Sequence, residues 1–149
     1  LAPHFDQTLI HYYRHWSTGD ELIDLEYELE ELVTSLGDLA DWVVFAKSAG
    51  TILIIRGCYE NKIKPLKCVF AGTAIGWAEA QGMNMSEWLK NYSIPTLFIQ
   101  KNSDPAIAYQ DLEHLLSGMV NAKMKEIPGD NHTYEDLSIL EDQVTRFLK

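Results

Sequence analysis

The chain has 149 residues, enough for one compact domain with a sizeable core. Hydrophobic residues make up 46% and charged residues 23%, ordinary globular usage that excludes a disordered or fibrous chain. Asp and Glu number 22 against 12 Lys and Arg, a formal net charge of -10; so acidic a surface repels phosphate backbones and anionic lipid, and neither nucleic acid nor a membrane is an expected partner.

Thr8-Leu9-Ile10-His11-Tyr12-Tyr13 is rich in β-branched and aromatic residues and reads as a first strand. Ser17-Thr18-Gly19-Asp20 supplies turn and cap chemistry. Leu22, Leu25, Leu29, Leu32, Val33 and Leu36 then recur at helical spacing, and Gly37 ends that helix. The acidic residues from Glu21 to Glu31 between them are expected to form its solvated face. Trp42-Val43-Val44-Phe45-Ala46 is a continuous apolar run, the pattern of a parallel strand buried on both faces. Thr51 to Cys58 reads as a mostly buried helix and Lys67 to Ala71 as the next strand. Gly72 to Ser93 is irregular, with a helical piece around Met85 to Tyr92. A strand over Thr96 to Gln100, a helix over Ile107 to Leu116, and an alternating edge strand over Lys123 to Ile127 follow. Leu137, Leu140, Val144, Phe147 and Leu148 mark the last helix. Strands alternating with helices imply βαβ units, hence an α/β fold with a mainly parallel sheet and helices on both faces, in one domain over 1–149.

Such sheets bind ligands at the carboxyl ends of their strands. After the second strand comes Ala46-Lys47-Ser48-Ala49-Gly50, with small residues two before and two after a serine in a strand-to-helix turn. Ser48 taken alone is equally a helix cap. After the fourth comes Asn102-Ser103-Asp104-Pro105, where Asp104 alone reads first as a cap before a proline. After the fifth comes Gly129-Asp130-Asn131-His132, and a lone loop histidine is usually only solvated. Taken together, a serine, an acid and a histidine each follow a different parallel strand, the chain order of one convergent Ser-His-Asp arrangement.

At these residues the sequence resembles the α/β-hydrolase family. Tyr13-Arg14-His15-Trp16 is similar to the segment after that family's fourth strand, Ala46 to Gly50 to its nucleophile elbow, Asn102 to Pro105 to its acid turn, and Gly129 to His132 to its histidine loop. The resemblance implies Ser48 as nucleophile, His132 as general base and then acid, Asp104 as the orienting carboxylate, and the Ala49 N–H as one oxyanion donor. Ala46 stands where the family's G-x-S-x-G motif has its first glycine. The five strands correspond to the family's fourth to eighth. Its first three strands, and the loop carrying the second oxyanion N–H, would lie before Leu1, where Leu1-Ala2-Pro3 does not read as a natural start. One missing oxyanion donor would cost about 2.7–4 kcal/mol of transition-state stabilisation.

Residues 72–93 sit where family members carry a lid, and Trp77, Met83 and Trp88, with Ile75 and Met85, form either an apolar wall for substrate or ordinary loop packing. His11 and His15 lack a carboxylate at metal spacing, no phosphate-binding glycine loop is present, and no cofactor or metal is expected. Lys47 beside Ser48 points away on a tight elbow and is set aside as a base. No apolar run approaches the ~18 residues of a spanning helix, and the N-terminal residues show no basic stretch leading into an apolar one, so no signal peptide is expected. Cys58 and Cys68 read as reduced core thiols of a cytoplasmic protein. The expectation is a serine hydrolase of carboxylic esters working through an acyl-enzyme; the alternative is a non-catalytic binding or scaffold protein of the same fold. The apolar first strand would be a bare edge unless covered by self-association or by preceding residues.

Overall fold

The computed structural model describes residues 5–14, 23–135 and 137–149, and the chain divides into two compact units, Leu1–Ala40 and Asp41–Lys149. The turn expected at Ser17 to Asp20, and His15 and Trp16, lie outside the described residues.

In the first unit the helical stripe forms α1, Leu25–Leu36. Leu25, Leu29 and Leu32 are buried, the i, i+4, i+7 spacing of one apolar face. The helix starts at Asp24, whose carboxylate accepts from the Tyr27 N–H at 3.1 Å, and ends at Gly37, whose φ of +52° suits glycine. Two expectations fail here. Residues 8–13 form no strand: β-branched composition permits an extended chain, but a strand exists only when a neighbouring strand takes its hydrogen bonds. Glu28 does not belong to a solvated face; it is 2% exposed, and its carboxylate accepts from the Arg14 N–H at 2.7 Å and meets His11 Nε2 at 3.1 Å. Charge at a helical position does not fix exposure when the opposite chain supplies donors.

The second unit is built on four parallel strands in the order β1-β2-β3-β4: Val43–Lys47, Lys67–Ala71, Thr96–Lys101 and Ala122–Ile127. Between them run α2 (Ala49–Tyr59), α3 (Ile75–Ala80), α4 (Met85–Lys90) and α5 (Tyr109–Leu115). A 3-10 turn, Ser138–Leu140, leads into α6, Glu141–Leu148. The sheet has four strands among the described residues, one fewer than expected, because residues 8–13 do not join it.

Side-chain alternation in β2 and β3 places helices on both faces. Cys68 and Phe70 share one face, where Tyr92 just after α4 donates to Cys68 Sγ at 3.3 Å and Phe70 packs edge-on to Phe98 of β3. Lys67 belongs to the other face and reaches the Phe147 carbonyl of α6 at 2.9 Å. The central strands are sealed: Cys68 to Ala71 are buried throughout, as are Leu97, Phe98 and Ile99. The apolar run of β1 is less so, with Phe45 41% exposed. As the last strand of the row it has one partner, β2, among the described residues, and continuous burial requires neighbours as well as apolar sequence. The 72–93 segment is not an open flap, since Ile75, Ala78, Met85 and Leu89 are core residues. No helix among the described residues is long and apolar enough to cross a membrane.

A candidate active site at the strand ends

The turn from β1 into α2 carries Ser48. Its backbone sits at φ 53°, ψ -127°, a sparsely populated region for a residue with a Cβ and a strain on the order of 1–3 kcal/mol. Three bonds hold it there: the Ser48 N–H donates to the Ala71 carbonyl at 3.1 Å, and Thr51 returns its N–H and its hydroxyl to the Ser48 carbonyl at 2.9 and 2.6 Å. Ser48 precedes the first helical residue but makes no side-chain cap. Its Oγ lies instead 2.8 Å from His132 Nε2.

His132 comes from the loop after β4 and is 28% exposed at its side chain. Its Nδ1 lies 2.8 Å from Asp104 Oδ1 and 3.0 Å from Oδ2. A carboxylate only accepts, so Nδ1 is the donor, and Nε2 is left to accept the Ser48 hydroxyl proton.

Asp104 follows β3 and has a fully buried side chain. It caps no helix: α5 begins at Tyr109, four residues beyond Pro105, with Ala108 at the cap position. Asp104 Oδ1 accepts instead from the Ala106 N–H at 2.8 Å, which fixes the turn. The structure thus joins Ser48, His132 and Asp104, from three strand ends, into one hydrogen-bonded chain. Ala49 opens α2, where the first N–H groups of a helix have no partner within it and the helix dipole favours negative charge.

The loops are tied to one another. Gln100 is fully buried; its Oε1 accepts from the Thr73 N–H at 2.8 Å and its Nε2 donates to the Ile107 carbonyl at 2.8 Å, linking the loop after β2 to the acid loop. Asn102 Oδ1 accepts from the Gly129 N–H at 2.9 Å, and Lys101 Nζ donates to Asn131 Oδ1 and the Thr133 carbonyl on either side of His132. Gly76 lets α3 lie against the acid loop, since a Cβ there would collide with the Ala106 carbonyl.

Two residues at this centre carried no signal in the sequence. Gln100 reads as an ordinary strand residue. Tyr134 reads as loop, yet its hydroxyl donates to Asp104 Oδ2 at 2.6 Å and accepts from the Lys101 N–H at 2.8 Å. Only its position, two residues beyond a loop histidine, could have drawn attention.

Trp77 and Met83 are half-buried on and after α3. Trp88 is placed elsewhere: its ring lies 6.2 Å from that of Tyr59, at the far end of α2, about 16 Å along the helix from Ser48. A cleft of about 310 Å³ is lined wholly by first-unit residues, His11, Arg14, Glu28 and Glu31 among them, and by none of Ser48, Asp104 and His132. Among the described residues no group of three or more His, Cys, Asp or Glu is placed to hold a metal ion.

No protein-family model and no curated sequence matches the chain. Solved structures do. Est1E from Butyrivibrio proteoclasticus superposes with a TM-score of 0.65 at 16% identity, over 83% of this chain and 66% of its own. A putative hydrolase from Agrobacterium vitis S4 gives 0.57 at 13% identity, over 84% and 69%. Alpha/beta hydrolase domain-containing protein 10 from mouse gives 0.56 at 10% identity, over 82% and 70%. The likeness is one of fold: the sheet and its helices have the α/β-hydrolase architecture in part, and the chain spans just under two thirds of the length of Est1E.

Proposed function

We propose that this chain is a serine hydrolase acting on carboxylic esters through an acyl-enzyme. The observation that carries the reading is the unbroken chain Ser48 Oγ–His132 Nε2, His132 Nδ1–Asp104, with both bonds at 2.8 Å and the acid buried. Likeness of fold to hydrolases, Est1E and the mouse hydrolase-domain protein included, supports it. An Est1E structure with bound ferulic acid, the kind of product that an acyl hydrolase releases, supports a carboxylic acyl substrate.

In this reading His132 Nε2 removes the Ser48 proton as Oγ attacks the ester carbonyl. Asp104 holds the imidazole in the needed tautomer and stabilises the imidazolium. The oxyanion forms against the Ala49 N–H at the α2 terminus. His132 then returns the proton to the leaving alcohol, and water, activated by the same nitrogen, releases the acid from Ser48. Trp77 on α3 and Met83 just after it, both half-buried, are offered as substrate contacts; the position of Trp88 beside Tyr59 favours a packing role.

The test is a fluorophosphonate probe, which reports nucleophile activation without a known substrate. Labelling should map to Ser48 and vanish in Ser48→Ala. A folded chain that takes no label at Ser48, and does not hydrolyse p-nitrophenyl acetate or butyrate, favours the fold-retaining binding protein instead.

A further inference from the structure

We infer that Tyr134 is a positioning residue that sets the rotation of the Asp104 carboxylate, and through it the imidazole of His132, with Gly72 as the socket that admits its ring. The inference rests on the roles proposed above for Ser48, His132 and Asp104.

A fully buried carboxylate needs a donor for each oxygen. Oδ1 has two, the Ala106 N–H and His132 Nδ1, both at 2.8 Å. Oδ2 has the more distant contact to Nδ1, at 3.0 Å, and the Tyr134 hydroxyl at 2.6 Å. The direction of that hydroxyl bond is forced. The Lys101 N–H can only donate, so it occupies a lone pair of the phenol, and the one phenolic proton goes to Asp104. Burial, and the bond to Asp104, push the phenol's pKa up, so the donor proton stays in place across the working pH range. The Lys101 N–H at the end of β3 polarises the hydroxyl and strengthens its bond to the acid. The acid is thereby referenced to the sheet rather than only to its own loop.

The ring has one place to lie. Gly72, just after β2, has a φ of +62°, and a Cβ there would run into the Tyr134 ring. Lys101 Nζ lies 5.1 Å over the same ring while gripping the residues flanking His132. Without the hydroxyl, Oδ2 keeps only the shared, longer contact to Nδ1. The carboxylate is then free to turn, and Oδ1 leaves the line that orients the histidine.

The experiment uses the full chain and the Tyr134→Phe substitution, which retains the ring. The first readout needs no turnover: the downfield proton resonance of His132 Nδ1–H, observed by 15N-edited NMR. It should shift or broaden in Tyr134→Phe while far-UV circular dichroism is unchanged. The second is the fluorophosphonate labelling rate, expected to fall by ~10–100-fold, the ordinary weight of a hydrogen bond to a charged group. Because Tyr134 acts through Asp104, the double variant with Asp104→Asn should label no more slowly than Asp104→Asn alone. Tyr109→Phe, which removes an equivalent hydroxyl bond to Glu113 on the exposed face of α5, should behave as the parent chain. A parent-like resonance and rate in Tyr134→Phe, or additive losses in the double variant, overturns the inference. Should Tyr134→Phe not fold, the parent chain still decides: a slowly exchanging Tyr134 hydroxyl proton with a through-space contact to His132 Nδ1–H supports the inference, and its absence overturns it. A parent chain that takes no label defeats the hydrolase reading, and the NMR readout still judges Tyr134 by itself.

Discussion

Two aspartates compete for His132, and their surroundings separate them. Asp130 is two residues away in sequence but exposed, whereas Asp104, 28 residues away, is buried and meets Nδ1. Asp104→Asn is expected to slow labelling and ester turnover by about 10⁴-fold, because the amide favours the wrong imidazole tautomer. Asp130→Asn should change either rate by less than about threefold, in keeping with an exposed polar substitution. A reversed ranking would refute the assignment of the acid. At this scale the order Ser48, Asp104, His132 and the small residues about Ser48 were legible, because strand ends of a parallel sheet share one rim. Tyr134 was not, because its partners, Gly72 and Asp104, are brought to it only by folding.

Among the elements, β3 ties two loops together through Gln100. Gln100 satisfies a buried N–H of one loop and a part-buried carbonyl of another. Gln100→Leu leaves both without partners, and urea unfolding should show a loss of about 2–6 kcal/mol, two groups at ~1–3 kcal/mol each, toward the lower end because the Ile107 carbonyl is only part-buried; a loss below about 0.5 kcal/mol would show that the loops are held otherwise. The thiols carried by α2 and β2 have a pH signature. Cys58 and Cys68 have thiol pKa values pushed up to about 12, chiefly by burial, from an ordinary value near 9. Folding thus holds protons that the unfolded chain loses between pH 9 and 12. Stability from this source is fully present below pH 9 and falls as pH rises toward 12, with the buried phenols of Tyr92 and Tyr134 adding at the top of that range. The urea midpoint should fall steadily above pH 9, less steeply in Cys58→Ala; a flat profile would show the thiols to be solvated. The helices were legible from their periodicity, except α3, which is too short to show a period and lies in a stretch read as irregular, and the central strands from composition. Residues 8–13 were misread because composition favours extended backbone without supplying a partner strand.

For the molecule as a whole, the sheet ends in β1, which pairs on one side only among the described residues and exposes Phe45, with Leu66 exposed just before β2. Unpaired strand edges recruit further strands. Sedimentation velocity is therefore expected to show species larger than the single chain, shifting with concentration, and a substitution such as Phe45→Lys should suppress them. A single-chain species at every concentration would argue that the edge takes no strand from another copy.

What the amino-acid sequence determined by itself was local or periodic: the apolar stripe of α1, the buried runs of β2 and β3, the turn chemistry about Ser48, and the serine–acid–histidine order. Each depends on the polarity and shape of residues near one another in the chain, and those are written in it directly. The tertiary structure decided the rest. It buried Glu28 and gave it the Arg14 N–H as a donor, made β1 a row-end strand, seated Trp88 beside Tyr59 at the far end of α2, and closed Tyr134 over Gly72 onto Asp104. Burial and hydrogen-bond partnership are properties of pairs distant in sequence, and a single residue's chemistry does not specify which partner the fold will bring to it.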